Sequence, residues 1–593
     1  MKKILPRFLR FLSVFFSLFF VTACLAACGI FFDSAKDNDT ENPTNGLQET
    51  GQNPPVSDEK ETPAPTEYDP DDFAPTADDL TDGALLSNDA YTASVSFNGA
   101  TVSGTGTGYT VSGNIVTITA AGTYLLSGNG EGQLKVNAHK AVVRLVLNGV
   151  TLLCSDSAPI FVKDAKKVIL SVLAGTENSF SDTQNTVLNA DQEPTATIFS
   201  KDDLTINGSG TLTVSANYNN AIQSKNHLKI LDSRMVIRST DDGIIGKDSL
   251  YLQNARLDIT AKGDGIASTN TESGFGIAIL SGGEYNLACG GDGIVGKNNL
   301  EIIDGVFSII TGGGSQYTSY TKSAKGLKAG GGLTVRGGSL TLDTADDCIH
   351  SNNSVVIEGG SFSISSGDDG IHADTTVKIT DGKINITKSY EGVEATEILV
   401  LGGTLDIVAS DDGINVSGGA DGSAIGRPGG GGFGGGSNSN NKAVFSGGVI
   451  TINAAGDGLD SNGNIEMSGG SIFINGPTSN NNGAIDYDGT FTMSGGTIFA
   501  IGASGMAQTP SSSNVYGMNV SIRTNGTAGL LTVKDDKGTE ITRITAVKTF
   551  SSLVLFSEKL TPGTYSIFRD NVLIATASIN GYTTGNSGGN RPR

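Results

Sequence analysis

A phrase of acid, glycine and aliphatic residue recurs along the chain, and its acids are the side chains best placed to do chemistry. It reads Asp241-Asp242-Gly243-Ile244, Gly263-Asp264-Gly265-Ile266, Gly291-Asp292-Gly293-Ile294 and Asp346-Asp347-Cys348-Ile349. It continues as Asp368-Asp369-Gly370-Ile371, Glu391-Gly392-Val393, Asp411-Asp412-Gly413-Ile414 and Asp457-Gly458-Leu459. Carboxylates stacked about 5 Å apart repel by about 3 kcal/mol per adjacent pair at an effective dielectric near 20. Solvation, protonation or a cation must relieve that repulsion. Calcium takes roughly six to eight oxygen ligands from carboxylates and turn carbonyls. The expected calcium ligands are therefore Asp346, Asp347, Asp368, Asp369, Glu391, Glu394, Asp411 and Asp412, with Asp241 and Asp242 as a further pair. The plainer reading is a turn pair whose Asp caps its own backbone. That explains one acid per turn, but not the doublets.

The position two residues after the glycine is Ile245, Ala267 and Val295 early in the chain, then Lys328, His350, His372, Glu394, Asn415, Asp460 and Asp486. A polar column beside an acidic one forms a groove for sugar hydroxyls, with His350, His372 and Asn415 as ligand-binding candidates. The two histidines suit metal ligation or base chemistry, but surface ladder residues are the expectation. Lys225, Lys247 and Lys297 make a cationic column that either meets acidic sugars or is a solvated face. Tyr317, Tyr320, Tyr390 and Tyr487 are candidates for stacking on sugar rings, and the chain has no Trp. If the chain is a polysaccharide lyase, Lys325 and Lys328 are the candidate bases. Neighbouring carboxylates raise a lysine's pKa and work against that role. No other catalytic residue is assigned, so binding without catalysis is preferred, with a structural adhesin as a further alternative.

The spacing says what must position these residues. Gly243 and Gly265 follow Ala221 at intervals of 22, and Gly326, Cys348, Gly370 and Gly392 keep the same step. Between them lie short alternating runs such as Val116-Thr-Ile-Thr and Leu204-Thr-Ile, with no helical periodicity. A period near 22 with two or three short strands per unit predicts an all-β fold, a right-handed parallel β-helix or solenoid over residues 91–505. Equivalent residues would then stack about 4.8 Å apart. Residues 506–582 leave the pattern. Leu530 to Val533, Ile541 to Val547, Leu553 to Phe556 and Thr564 to Ile567 predict a small antiparallel β module capping the open end. Residues 583–593 read as a disordered tail.

The chain of 593 residues carries 82 Gly and a net charge of −22, which argues against a nucleic-acid partner. At the start, Lys2, Lys3, Arg7 and Arg10 precede an apolar run, Phe11 to Val21, too short for a comfortable membrane span. Leu25-Ala26-Ala27-Cys28 then matches a bacterial lipobox, with Cys24 as the alternative lipid site. The expectation is a signal peptide over residues 1–27 and a lipid on Cys28. The body then sits as a monomer on the extracellular face of a bacterial membrane. Residues 28–90 are rich in Pro, Thr, Asp, Glu and Asn and read as a disordered acidic linker. Cys154, Cys289 and Cys348 show no zinc spacing and read as buried small apolar residues.

Taken together, Val143-Arg-Leu-Val-Leu-Asn-Gly-Val, Ser157-Ala-Pro-Ile, the Asp-Asp-Gly-Ile repeats and the Gly-Arg-Pro-Gly-Gly-Gly-Gly-Phe run at 426–433 carry a resemblance. The chain resembles the clostridial carbohydrate-binding β-helix lipoproteins, a family similar in fold to pectate lyases, over about residues 90 to 580. The resemblance implies binding of calcium, cellulose and acidic polygalacturonate-like sugars, without established catalysis. It implies metal ligation by the Asp-Asp-Gly aspartates between Asp346 and Asp412, and Cys348 in place of a glycine puts that one corner in doubt.

Overall fold

The computed structural model describes residues 73–80, 90–183, 194–318, 322–417 and 441–582. Cys24, Cys28, Tyr320, the Gly-rich run after Ser417 and residues 583–593 lie outside them.

The described chain is all-β, with a single helical turn at Ala77–Leu80. Most strands join one 45-stranded sheet. Its organisation follows from the alternating sequence. In Arg256–Ala261, Leu257 and Ile259 are buried while Arg256 and Thr260 are exposed, as period-2 geometry requires. Arg234–Ser239 pairs in parallel with Arg256–Ala261, residue for residue, 22 positions apart. His227–Leu231 pairs likewise with Ser249–Gln253, and Ile244–Gly246 with Ile266–Ser268. Across Asn220–Gln253 each strand thus meets the third strand before it and the third after it. Three strand segments form a tier, two of them continuous in the long strands Ile277–Cys289 and Asn299–Thr311, and the tiers stack in parallel ladders.

The residue after each repeat glycine faces inward. Ile244, Ile266, Ile294, Leu327, Ile349, Ile371, Val393, Ile414, Leu459 and Ile485 succeed one another in register. All are at most 1% exposed. The glycine is required by the tier above. A Cβ on Gly243 would lie 2.5 Å from the Gly265 carbonyl oxygen, and one on Gly370 2.6 Å from that of Gly392. Cys348 nevertheless keeps the corner. Its N–H and that of Ile349 donate to Asp369 and Gly370 at 3.1 and 3.3 Å, the same bonds the glycine tiers make, and its thiol is buried against Thr344.

Two features depart from the sequence expectation. The segment Leu553 to Phe556 does not join the small C-terminal sheet. Its strand, Phe550–Ser557, runs antiparallel to Thr497–Gly502, the last strand of one ladder, and to Gly517–Gly526. A run of Leu, Val and Phe buried on both faces suits that inner position. The small sheet is instead Glu540–Ala546, Gly529–Lys534, Gly563–Arg569 and Val572–Ile579, all antiparallel. Second, the span read as linker contains structure: residues 73–80 lie against the outside of the sheet, with Asp79 fully buried.

Candidate functional site

The acidic column lies at the corner before each inward aliphatic residue, and its carboxylates do something the turn-pair reading does not include. Seven of its aspartates accept the backbone N–H of the equivalent residue one tier further along. Asp264 N–H donates to Asp242 Oδ1 at 2.7 Å, Asp292 to Asp264 at 2.8 Å and Lys325 to Asp292 at 2.8 Å. Asp369 donates to Asp347 and Glu391 to Asp369, both at 3.0 Å. Asp457 donates to Asp412 at 2.6 Å and Gly483 to Asp457 at 2.5 Å. The cap therefore reaches between tiers rather than back onto its own turn. One oxygen of each acid is used in this way, and its charge still needs an answer.

In the central tiers that answer is a set of cationic side chains. Lys325 occupies the acidic column itself. Its Nζ lies 2.8 Å from Asp346 Oδ1 and 2.6 Å from Asp347 Oδ2, with all three residues at most 3% exposed. Burial alone would lower the lysine's pKa, but the two carboxylates outweigh it and hold the ammonium charged well above the usual lysine range. Burial likewise opposes the Asp347 anion, yet Lys325 and His350 keep it well below the usual carboxylate range. His350 and His372 are stacked, with ring centroids 5.0 Å apart. The expectation that they are surface residues is corrected here: they are 4% and 0% exposed. Their column turns toward the acids, and each imidazole finds carboxylates. His350 Nδ1 is 2.8 Å from Asp347. His372 Nδ1 is 3.1 Å from Glu394 and 3.5 Å from Asp369, and its Nε2 is 3.3 Å from Asp374. Burial disfavours the imidazolium, but Asp369, Asp374 and Glu394 prevail and raise its pKa well above the ordinary value. Among the expected calcium ligands, Asp346, Asp347, Asp369 and Glu394 thus already face an internal cation.

Further along, Asp412, Asp457 and Asp460 bring oxygens within 4.8 Å of one another. Among the described residues, no basic side chain is paired with Asp412 or Asp457. Burial first, then Asp460, Asp411 and Asp486, push Asp412 up to about 7. Burial and Asp412 push Asp457 up to about 8. Beside them run Asn415, Asp460 and Asp486 in adjacent tiers. Asp457 and Asp460 stand in the columns visible in the sequence, but not among the acids singled out there as ligands. The early tiers resemble this cluster more weakly: burial and the neighbours Asp292 and Asp242 push Asp264 up to about 7, while Asp292 pairs with Lys328 at 2.8 Å.

The other candidates scatter. Asp241 is exposed, while Asp368 brings an oxygen to the Asp346 and Asp347 group. Glu391 accepts from Asn415 Nδ2 at 2.7 Å. Tyr390 lies at the corner beside Asp411, whose hydrogen bond, with burial, raises the phenol's pKa. Lys225 and Lys247 lie in adjacent tiers and Lys297 one tier beyond an intervening Thr269, all outside the acidic groove. Lys328 donates to Asp292 and Ser323. Lys325, buried and held protonated, has no free electron pair to offer as a base.

Residues 112–370 match the family described as carbohydrate-binding domain-containing protein. A protein of Acetivibrio thermocellus with the same description is 39% identical over 136 residues, 22% of this chain and 48% of that protein. The chain thus spans about half the length of the curated relative it matches. Among solved structures, a gadolinium derivative of a polysaccharide lyase-like protein from C. thermocellum shares 28% identity, with a TM-score of 0.34, over 49% of this chain and 96% of the other. The resemblance carried by the sequence motifs and the family matched here agree.

Proposed function

We propose that this chain is a polysaccharide-binding protein of the bacterial cell surface, anchored through a lipid on Cys28, whose stacked tiers form a right-handed parallel β-helix. Its ligands are cellulose or acidic, polygalacturonate-like sugars, and calcium seated among the corner carboxylates takes part in holding them. The small antiparallel sheet caps one end, and the residues before Phe73 tether the body.

The observation that carries the calcium reading is the Asp412, Asp457 and Asp460 cluster. Calcium–oxygen distances near 2.4 Å place opposite ligands about 4.8 Å apart, and these three carboxylates bring oxygens within 4.8 Å of one another. The pushed-up pKa values of Asp412 and Asp457 mean that at neutral pH the cluster keeps a proton or takes a cation. A dication here displaces the proton and leaves coordination sites open. The hydroxyls or carboxylate of a sugar lying along Asn415 and Asp486 can complete them. The sugar itself is supported by the description shared by the matched family and the Acetivibrio thermocellus relative.

The test is retention of the full chain on polygalacturonate and on cellulose, in calcium and then in chelator. Retention that requires calcium supports the reading, and equal retention in both ends the calcium part of it. Ultraviolet absorbance recorded during the polygalacturonate incubation reports any unsaturated product. A steady rise would replace binding by lyase activity.

A further inference from the structure

The most completely satisfied carboxylate outside the corner column is not in a tier at all. Asp79 belongs to the segment Phe73–Leu80, which crosses the outer face of one ladder. Its Oδ1 accepts from Thr205 Oγ1 at 2.6 Å and pairs with Lys167 Nζ. Its Oδ2 lies 3.4 Å from Lys229 Nζ and accepts from Thr76 N–H and Oγ1 at 2.9 and 2.8 Å. Three backbone carbonyls of the same segment are also held. Asn207 Nδ2 donates to that of Asp79 at 2.6 Å, Arg144 Nη2 to that of Asp78 at 2.8 Å and Lys229 Nζ to that of Ala74 at 2.9 Å. Phe73 meets His227 edge-on at 6.4 Å.

The donors form a built row on the sheet. Thr205 is paired with Ile169 on one side and Lys229 on the other, and Ile169 in turn with Arg144. Asn207 follows two residues after Thr205 on the same outward face. Ile169 and Leu231 also face outward there and are 1% exposed, giving the row an apolar floor beside its cations. The segment lying on it is held differently from a core element. In its helical turn only Asp79 is buried, and Leu80 is 51% exposed. Polar contacts hold it, and few of its own side chains are buried.

We propose that Arg144, Lys167, Thr205, Asn207 and Lys229 form a second sugar site, for the carboxylates of an acidic polysaccharide, and that the chain covers it with its own Phe73–Leu80 segment. Asp79 takes the place of a uronate carboxylate, and the carbonyls take the places of sugar oxygens. Two ammonium groups and a hydroxyl around one carboxylate are the chemistry of carboxylate recognition. A sugar as the bearer of that carboxylate rests on the polysaccharide-binding reading above. The site needs no calcium, because its own lysines supply the positive charge.

The test uses the full chain and Asp79→Lys, which sets a third ammonium against Lys167 and Lys229. Hydrogen exchange of residues 73–80 reports release, and calorimetry in chelator reports binding of an unbranched hexagalacturonate, with cellohexaose as the neutral control. A site covered nine-tenths of the time or more gains about tenfold or more in apparent affinity when uncovered. Expected are loss of protection in Asp79→Lys, that gain for the acidic probe only, and its disappearance when Lys167→Ala and Lys229→Ala are added. Release without gain, a gain that survives the two lysine changes, or a segment still protected in Asp79→Lys each overturns the proposal. Calcium-dependent retention of the unaltered chain is scored separately. Its failure would leave the strap result standing, and the reverse.

Discussion

The tiers around Lys325 and those around Asp457 share the same corner column and the same amide-to-carboxylate bond, yet they meet their charge in different ways. In the first, the chain supplies its own cations: a lysine inside the acidic column and the buried His372 imidazole beside it. In the second, Asp412 and Asp457 are driven toward protonation instead. An acidic stripe is therefore not one site. It is a series of seats, some filled by side chains of the fold and some whose acids are driven toward protonation. The central seats are filled from within, and the later ones are those to which the proposed reading assigns an outside cation.

The sharpest way to break this contrast is Lys325→Met. It leaves Asp346 and Asp347 buried without their ammonium, and a loss of about 3–5 kcal/mol is expected in denaturant unfolding. A loss below about 1 kcal/mol would mean that the central acids do not depend on it. Partial recovery with calcium would sharpen the point, since it would show the ammonium standing in a metal's seat. Next in size is Asp457→Asn, which keeps an acceptor for the Gly483 amide. At a calcium level 100 times the dissociation constant, the unaltered chain should gain about 2.7 kcal/mol. Differential scanning calorimetry should find that gain abolished in the variant, and an undiminished gain would move the metal elsewhere.

The pH dependence should be smaller. Asp412 and Asp457 bind protons more tightly folded than unfolded. Their contribution in chelator is therefore complete below about pH 4 and is lost as pH rises through about 7 to 8. The expected loss is about 1–2 kcal/mol, since both keep some solvent contact. Melts from pH 5 to pH 8.5 would show it, and calcium should flatten the slope. A stability that rises over that interval in chelator would contradict the assignment. Smallest of all should be Lys297→Ala, on an exposed corner, at within about 0.5 kcal/mol by the same unfolding measurement.

The step of 22 made the columns legible from sequence alone. Ile245, Ala267, Val295, Lys328, His350, His372, Glu394, Asn415, Asp460 and Asp486 do lie tier on tier in that order. A period fixes which residues are neighbours, but not where their side chains turn. So His372 looked like a surface residue and Lys325 like a candidate base, when both are buried counter-ions. The cap from each acid to the next tier's amide was hidden for the same reason, because it depends on reach rather than type. Asp79 was out of range altogether. Its partner Thr205 is 126 residues away, and nothing periodic connects a linker to a ladder. Leu553 to Phe556 was read as a strand, but only the contact of Phe550–Ser557 with Thr497–Gly502 decides which sheet takes it.

The bond between one corner and the next has its donor in the main chain and only its acceptor in a side chain. A single short acid, or an Asn such as Asn220 beneath Asp242, is therefore all that any floor must contribute to be joined to its neighbour at that corner. Such a join is indifferent to what the outward positions carry. New floors can be copied in, and a whole external face rewritten for another ligand, while the masonry between storeys stays as it was.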